Sequence, residues 1–284
     1  MVKKIDILPM LVDGHDYGHY AMGLCPFHED HNPSLQVTDR GYKCKSCGAK
    51  GNLSSLQDKL SPMSMRADKP LEKHGRKSMF PGYDDLDAIS DLLLSAHDRL
   101  MASSHLHYYL QKRGVDDLSV LCKLGWYNNM YTIPVLDKDG GLIGGIARAG
   151  SNCTDKKMRF DTPHGQPPML YVPDWKLLEQ SNHLFLTFGI FDALTVRSLG
   201  FASCTPTVGK DSVNSRWFDG INKVIHIIPD KGEEKDALIL VSRLGLRGRI
   251  LEINYDGTNT KDPNDFATTM GKGKLTKLLQ AAGG

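Results

Sequence analysis

Four ligand-type residues stand as two close pairs, Cys25-Pro-Phe-His28 and Cys44-Lys-Ser-Cys47, with fifteen residues between them. Two intervening residues let both members of a pair turn onto one ion, and the gap between pairs is long enough for a β-hairpin. Three thiolates and one imidazole with no open position are what a tetrahedral structural Zn²⁺ takes. His31 competes with His28 but breaks the spacing. Gly48 and Gly51 suit the tight turn after the second pair. Two unrelated cysteine pairs in a reduced domain would be the plain alternative. Ser34–Thr38 and Gly41–Cys44 are predicted as strands around Asp39-Arg40.

A chain of 284 residues has room for one small module and one larger core. Mean hydropathy is −0.33, as for a globular chain, and no apolar run is long enough for a transmembrane helix. Met-Val-Lys-Lys-Ile-Asp at the start carries no apolar segment of the signal-peptide kind. Cys122, Cys153 and Cys204 cannot all pair, so they are expected as free buried thiols in a reducing cytoplasm. Net charge is only +2, which neither demands nor excludes nucleic acid. Distribution says more: Arg40, Lys43, Lys45 and Lys50 crowd the zinc module, with Phe27 and Tyr42 among them. Basic and aromatic residues on a small ribbon suit a single-strand reader, or else form a solvated basic surface.

The module is expected over residues 1–60, followed by a linker over 61–83 without helical or strand periodicity. A helix is predicted from about 84 to Arg113, ended by Gly114, on the spacing of Leu86, Ile89, Leu92, Leu93, Ala96 and Leu100. Tyr131–Leu136 and Leu142–Ala147 read as a hairpin closed by Asp137–Gly141. From residue 181 the rhythm changes. Apolar runs His183–Phe188, Lys223–Ile228 and Gly248–Asn254 alternate with helices, over Asp192–Gly200 and Glu233–Leu244. Strand–helix alternation of this kind means a parallel α/β sheet, whose functional groups gather at the carboxyl ends of its strands.

Each of those runs is followed by an acid: Asp192, Asp230 and Asp262. Gathered at one sheet edge they form a hard oxygen site suited to Mg²⁺ or Mn²⁺. Taken singly, each could be a helix cap or turn residue. Glu233 or Glu234 could reach back to an ion near Asp230, or simply favour a helix start. Arg148, Lys157 and Arg159 are candidate phosphate contacts, as is Lys210 more weakly, with surface charge the alternative. Gly209-Lys210 lacks the glycine-rich stretch of a Walker loop.

These residues resemble the DnaG-type primases of bacteria and phages, a CHC2 zinc ribbon followed by a TOPRIM polymerase core. The resemblance runs from Cys25 to about Phe266. It is carried by the ribbon motif and by Tyr109-Leu-Gln-Lys-Arg113-Gly114, Lys123-Leu-Gly125-Trp126, Ile133-Pro134-Val, Ile143-Gly-Gly-Ile-Ala-Arg148, Leu170-Tyr171 and Lys261-Asp262-Pro263-Asn264-Asp265. It implies an α+β and α/β chain: the ribbon, the linker, an amino-terminal core subdomain over 84–180 and a TOPRIM-like domain over 181–284. It implies template-dependent synthesis of short primers on single-stranded DNA from nucleoside triphosphates. Arg148 and Lys157 would contact template or nucleotide, and Asp192, Asp230 and Asp262 would hold metal and carry catalysis. The setting would be the cytoplasm of a bacterium or of a phage-infected host. Any replicative helicase would act in trans, since the chain stops soon after the last motif. Two positions depart from the family pattern. Its Glu-Gly-x-x-Asp reads Phe188-Gly-Ile-Phe-Asp192, and its Asp-x-Asp reads Asp230-Lys-Gly232. These departures motivate the alternative: a primase-derived DNA-binding accessory protein with impaired catalysis.

Overall fold

The structure, a computed structural model, describes residues 3–11, 14–28, 30, 33–60, 78–150 and 160–283. Residues 61–77 of the expected linker, His31, Cys153, Lys157 and Arg159 lie outside the described residues. The chain divides into two compact units, Met1–Glu72 and Lys73–Gly284.

In the first unit, a short helix α1 (Lys4–Ile7) precedes strands β1 (His15–Asp16), β2 (Ala21–Gly23), β3 (Leu35–Thr38), β4 (Gly41–Cys44) and β5 (Lys50–Gly51). They form one antiparallel sheet in that order, and helix α2 (Leu53–Leu60) follows. Alternation sets the faces: Leu35 and Val37 are buried while Gln36 and Thr38, which alternate with them, are half-buried. Leu53, Leu56 and Leu60, at helical spacing on α2, close the same small core with Ile7.

The second unit begins with α3 (Leu86–Met101) and α4 (Ser104–Arg113). Asp85 caps α3 by accepting from the Ala88 N–H. The single helix predicted from 84 to 113 is thus two. At Ser103 the backbone turns extended (φ −138°, ψ 99°), and its hydroxyl meets His105 Nδ1 at 2.8 Å. This turn lets Leu100 and Leu110 enter one apolar cluster. Gly114 ends α4 in the left-handed region (φ 67°), as its position suggested.

Next come β6 (Gly125–Tyr127), β7 (Met130–Leu136), β8 (Leu142–Ala149) and β9 (Phe160–Asp161), an antiparallel sheet on which α3 packs. The β7–β8 hairpin turn is closed by Asp137 Oδ1, which accepts from the Asp139 and Gly141 N–H groups. The remaining elements are β10 (Leu170–Tyr171), α5 (Trp175–Gln180), β11 (His183–Leu186), α6 (Ile190–Ser198), β12 (Ser203–Pro206), β13 (Val224–Ile227), α7 (Glu234–Leu244), β14 (Gly248–Ile250), α8 (Pro263–Met270) and α9 (Lys272–Gly283). The sheet order is β10-β12-β11-β13-β14, with the last four parallel and β10 antiparallel at the edge. This is the α/β architecture the strand–helix rhythm implied. Leu184, Leu186, Ile225 and Ile227 are fully buried in it, as strands covered on both faces require. Cys122 and Cys204 are free and buried, as expected.

Candidate functional site

In the first unit Cys25, His28, Cys44 and Cys47 converge, with their ligand atoms all within 4.8 Å of one another. The hairpin β3–β4 delivers Cys44 at its end, and the turn after it returns Cys47. The Cys25 and Cys47 sulfurs are 3.8 Å apart, and His28 Nδ1 lies 3.9 Å from the Cys44 sulfur. Zn–S bonds of about 2.3 Å at the tetrahedral angle give sulfur–sulfur edges of about 3.8 Å, so the site fits Zn²⁺; a disulfide would need about 2.05 Å. The N–H groups of Ser46 and Cys47 both point at the Cys44 sulfur at 3.3 Å and favour its thiolate form. The imidazole in this cluster is that of His28.

Beside it, Phe27 stacks on Tyr42 with ring centroids 5.2 Å apart and planes 6° from parallel. Phe27 stays partly exposed, and Arg40, Lys43, Lys45 and Lys50 are exposed on the same ribbon.

In the second unit a cavity of about 600 Å³ opens where the parallel strands end. Its wall takes Phe188, Gly189 and Asp192 from the β11–α6 turn, Thr207–Gly209 from beyond β12, and Lys261, Asp262 and Asp265 from the start of α8. Tyr109 and Arg113 of α4 and Arg148 of β8 also line it.

The three acids behave differently from one another. Asp192 lies inside the first turn of α6, buried, and its Oδ1 accepts from the N–H of Asn264, 72 residues away. It is not a cap. Asp262 does cap α8, accepting from the Asp265 N–H at 2.7 Å. Asp230 follows β13 and caps nothing; its Oδ1 is buried with no hydrogen-bond partner among the described residues. It does not line the cavity, yet it belongs to the same cluster electrostatically. Burial first, then the charges of Asp262 and Asp230, push the Asp192 carboxyl well above the usual range. Burial, then Asp262 and Glu233, push Asp230 up to about 7 against the pull of Lys261 and Lys210. Burial likewise raises Asp262, against the stabilising Asp265 N–H. Carboxylates raised by their neighbours lie close together, and Arg113, Lys261 and Lys210 offset only part of that crowding.

Lys210 is engaged elsewhere. Its ammonium meets Glu233 at 2.9 Å and Asp236 at 2.5 Å. Burial works against its charge, but those two acids carry its pKa above the ordinary lysine value. Glu233 therefore spends Oε1 on Lys210, while its Oε2 is buried with no partner among the described residues. Glu234 accepts from the Gly232 N–H at 3.0 Å. Gly232 has a φ of +88°, a conformation that disfavours any side chain there. Phe188 stands in the cavity wall and packs against the apolar core of the parallel sheet.

Three participants stand inside motifs named from sequence but were given no role of their own there. Arg113 donates to Asn264 at 2.7 Å and lies 3.4 Å from Asp265, with its guanidinium 5.4 Å from both the Tyr109 and Phe191 ring centres. Asn264 ties α4 to α6 by donating to the Arg113 carbonyl and the Thr195 hydroxyl. Lys261 sits in the cavity wall. The glycine stop after Arg113 marks a helix end, but nothing local says that Asn264 meets it.

Comparison with known proteins agrees with this geometry. Residues 2–67 match the CHC2 zinc finger family. A DNA primase from Rickettsia felis is 22% identical over 92% of this chain and 54% of its own length; one from Rickettsia prowazekii is 22% identical over 82% and 47%. The chain thus spans about half the length of these curated relatives. The zinc-binding and RNA polymerase domains of Aquifex aeolicus primase superpose over 99% of this chain and 83% of theirs, with a TM-score of 0.53 and 19% identity. A DnaG primase catalytic domain bound to single-stranded DNA matches 70% of this chain and 80% of its own, with a TM-score of 0.53 and 16% identity. These matches show a shared fold.

Proposed function

We propose, from a chain with the zinc-ribbon and catalytic-core fold of the DnaG-type primases, that it synthesises short primers on a single-stranded DNA template. The observation that carries this reading is the cluster of Asp192, Asp230 and Asp262 at the carboxyl end of a parallel sheet, each pushed up by burial and by a neighbouring carboxylate. Buried, crowded carboxylates that stay raised despite the cations near them, one of them with an oxygen unpartnered among the described residues, are a donor set that fits Mg²⁺ or Mn²⁺. Asp192, Asp230 and Asp262 would hold the ion, with Glu233 Oε2 as a further oxygen. When bound, such an ion supplies Lewis acidity for activating a primer 3′-hydroxyl and offsetting charge on a leaving pyrophosphate.

The chain's own groups do the rest. Arg113, Arg148 and Lys261 give the cavity a cationic wall for triphosphate or template phosphates, with Lys157 and Arg159 as further candidates from sequence. The stacked Phe27–Tyr42 pair among exposed lysines offers the ribbon a base-stacking platform with phosphate contacts around it. A replicative helicase as partner belongs to the same reading.

Phe188 and Gly232 favour a second reading, a primase-derived DNA-binding accessory protein without catalysis. Phe188 can neither bind metal nor move a proton. Primer synthesis with Mg²⁺ and with Mn²⁺ on defined single-stranded templates separates the two. Short template-dependent products support the enzyme; none with either ion, alongside tight DNA binding, leaves the accessory protein.

A further inference from the structure

We propose that Asp30 is the positioning residue of the zinc centre, holding His28 so that Nδ1, not Nε2, faces the metal. The inference rests on the zinc assignment of the four ligands and goes beyond it. Asp30 lies two residues after His28, and its carboxylate is only 6% exposed. One oxygen, Oδ2, accepts from the N–H of the ligand residue Cys25 at 2.8 Å and from the Ser34 hydroxyl at 2.5 Å. Ser34 is itself buried, and its hydroxyl lies 3.2 Å from the Cys44 sulfur. The other oxygen, Oδ1, is 3.6 Å from His28 Nε2, while His28 Nδ1 is turned to the Cys44 sulfur.

One buried carboxylate therefore touches the backbone of one ligand, reaches a second through a serine, and faces the outer nitrogen of the imidazole. A metal-bound histidine needs an acceptor on its second ring nitrogen, which fixes both tautomer and ring plane. At 3.6 Å the Nε2–Oδ1 contact is an ion-pair distance; a small tilt of the ring closes it to a hydrogen bond. Asp30 is thereby the group that turns four side chains of the right spacing into a preformed site.

The test uses the full chain loaded with Zn²⁺. Long-range ¹⁵N–¹H spectra of wild type should show His28 with zinc on Nδ1 and a proton on Nε2. Asp30→Ala should lower zinc affinity, measured by competition with a chromophoric chelator, by about 10- to 100-fold. Asp30→Asn, which keeps an acceptor for Cys25 and Ser34, should fall between, and its Nε2 proton should exchange faster than in wild type. Ser34→Ala should leave the His28 tautomer unchanged. Zinc on Nε2 in wild type overturns the proposal even if Asp30→Ala fails to fold. So does an Asp30→Asn chain with wild-type affinity and proton exchange. Wild type that binds no zinc at all refutes the underlying zinc assignment instead, and metal content alone reveals that case.

Discussion

Asp230→Asn should stabilise the metal-free core at neutral pH. The Asp230 carboxyl is pushed from an ordinary 3.8 to about 7 by burial and by Asp262 and Glu233. Each factor of ten in proton affinity is worth about 1.4 kcal/mol, so retaining the full effect would cost ~4 kcal/mol once the group is ionised. Asp230 keeps some exposed surface and shares its titration with Asp192 and Asp262, which brings the expected cost to about 2 kcal/mol. The sign follows from linkage. The folded state holds this proton more tightly than the unfolded one, so its contribution is present below about pH 4 and lost as pH rises towards 7. Asparagine carries no charge to lose. Urea unfolding followed by tryptophan fluorescence reports on the second unit alone, because Trp126, Trp175 and Trp217 all lie there. In buffer free of Mg²⁺ and Mn²⁺, the variant should match wild type near pH 4 and exceed it by about 2 kcal/mol at pH 7.5. Adding Mg²⁺ should narrow the gap by stabilising wild type more. A variant less stable than wild type at every pH would refute the claim that these acids are crowded beyond what the neighbouring cations offset.

Cys44→Ser should abolish stoichiometric zinc and unfold the ribbon while leaving the tryptophan-monitored transition of the core in place; a full zinc equivalent per chain would show that the ligands are misassigned. Gly189 has an ordinary extended φ of −137°, but a Cβ there would stand 2.2 Å from Asp192 Oδ2. Gly189→Ala should therefore displace that carboxylate and cut primer synthesis more than tenfold while costing about 1–3 kcal/mol of stability, and unchanged synthesis would mean that Asp192 has no part in it. His226, on β13, meets His183 at 2.9 Å and stacks on Phe185; burial, then the charges of His183 and Arg249, depress its pKa to about 4. Its stabilising contribution is present above about pH 6.5 and lost as pH falls towards 4, about 2–3 kcal/mol in all. His226→Phe should remove that part of the acid slope in the same unfolding assay, and an unchanged slope would contradict the assignment.

The zinc module was legible because its signals are local. The spacing of two names the ligands, and Leu35–Val37 alternation beside Asp39-Arg40 gives the hairpin. The carboxyl-edge acids were legible because each follows an apolar run, although only coordinates separate Asp262, which caps a helix, from Asp192, which does not. Elsewhere the determinants are distant. Leu170-Tyr171 becomes a strand only because Thr205-Pro206 lies beside it. The run Gly248–Asn254 is apolar enough for seven residues of strand but pairs over only three, because β14 is the outer strand and its ladder with β13 ends at Ile227. Arg113 and Asn264 meet across 151 residues, so neither announces the other. The break at Ser103 answers to the core that Leu100 and Leu110 share, which helical periodicity cannot see.

Counting Mn²⁺ bound to the wild-type chain and to Asp192→Asn by electron paramagnetic resonance, with the ribbon already filled by zinc, tests the central claim most directly. The claim is that the acids left beside Phe188 and Gly232 still hold a divalent ion. At least one Mn²⁺ per wild-type chain, lost in Asp192→Asn, is the expected result. Wild type that binds single-stranded DNA but takes up no Mn²⁺ would contradict it.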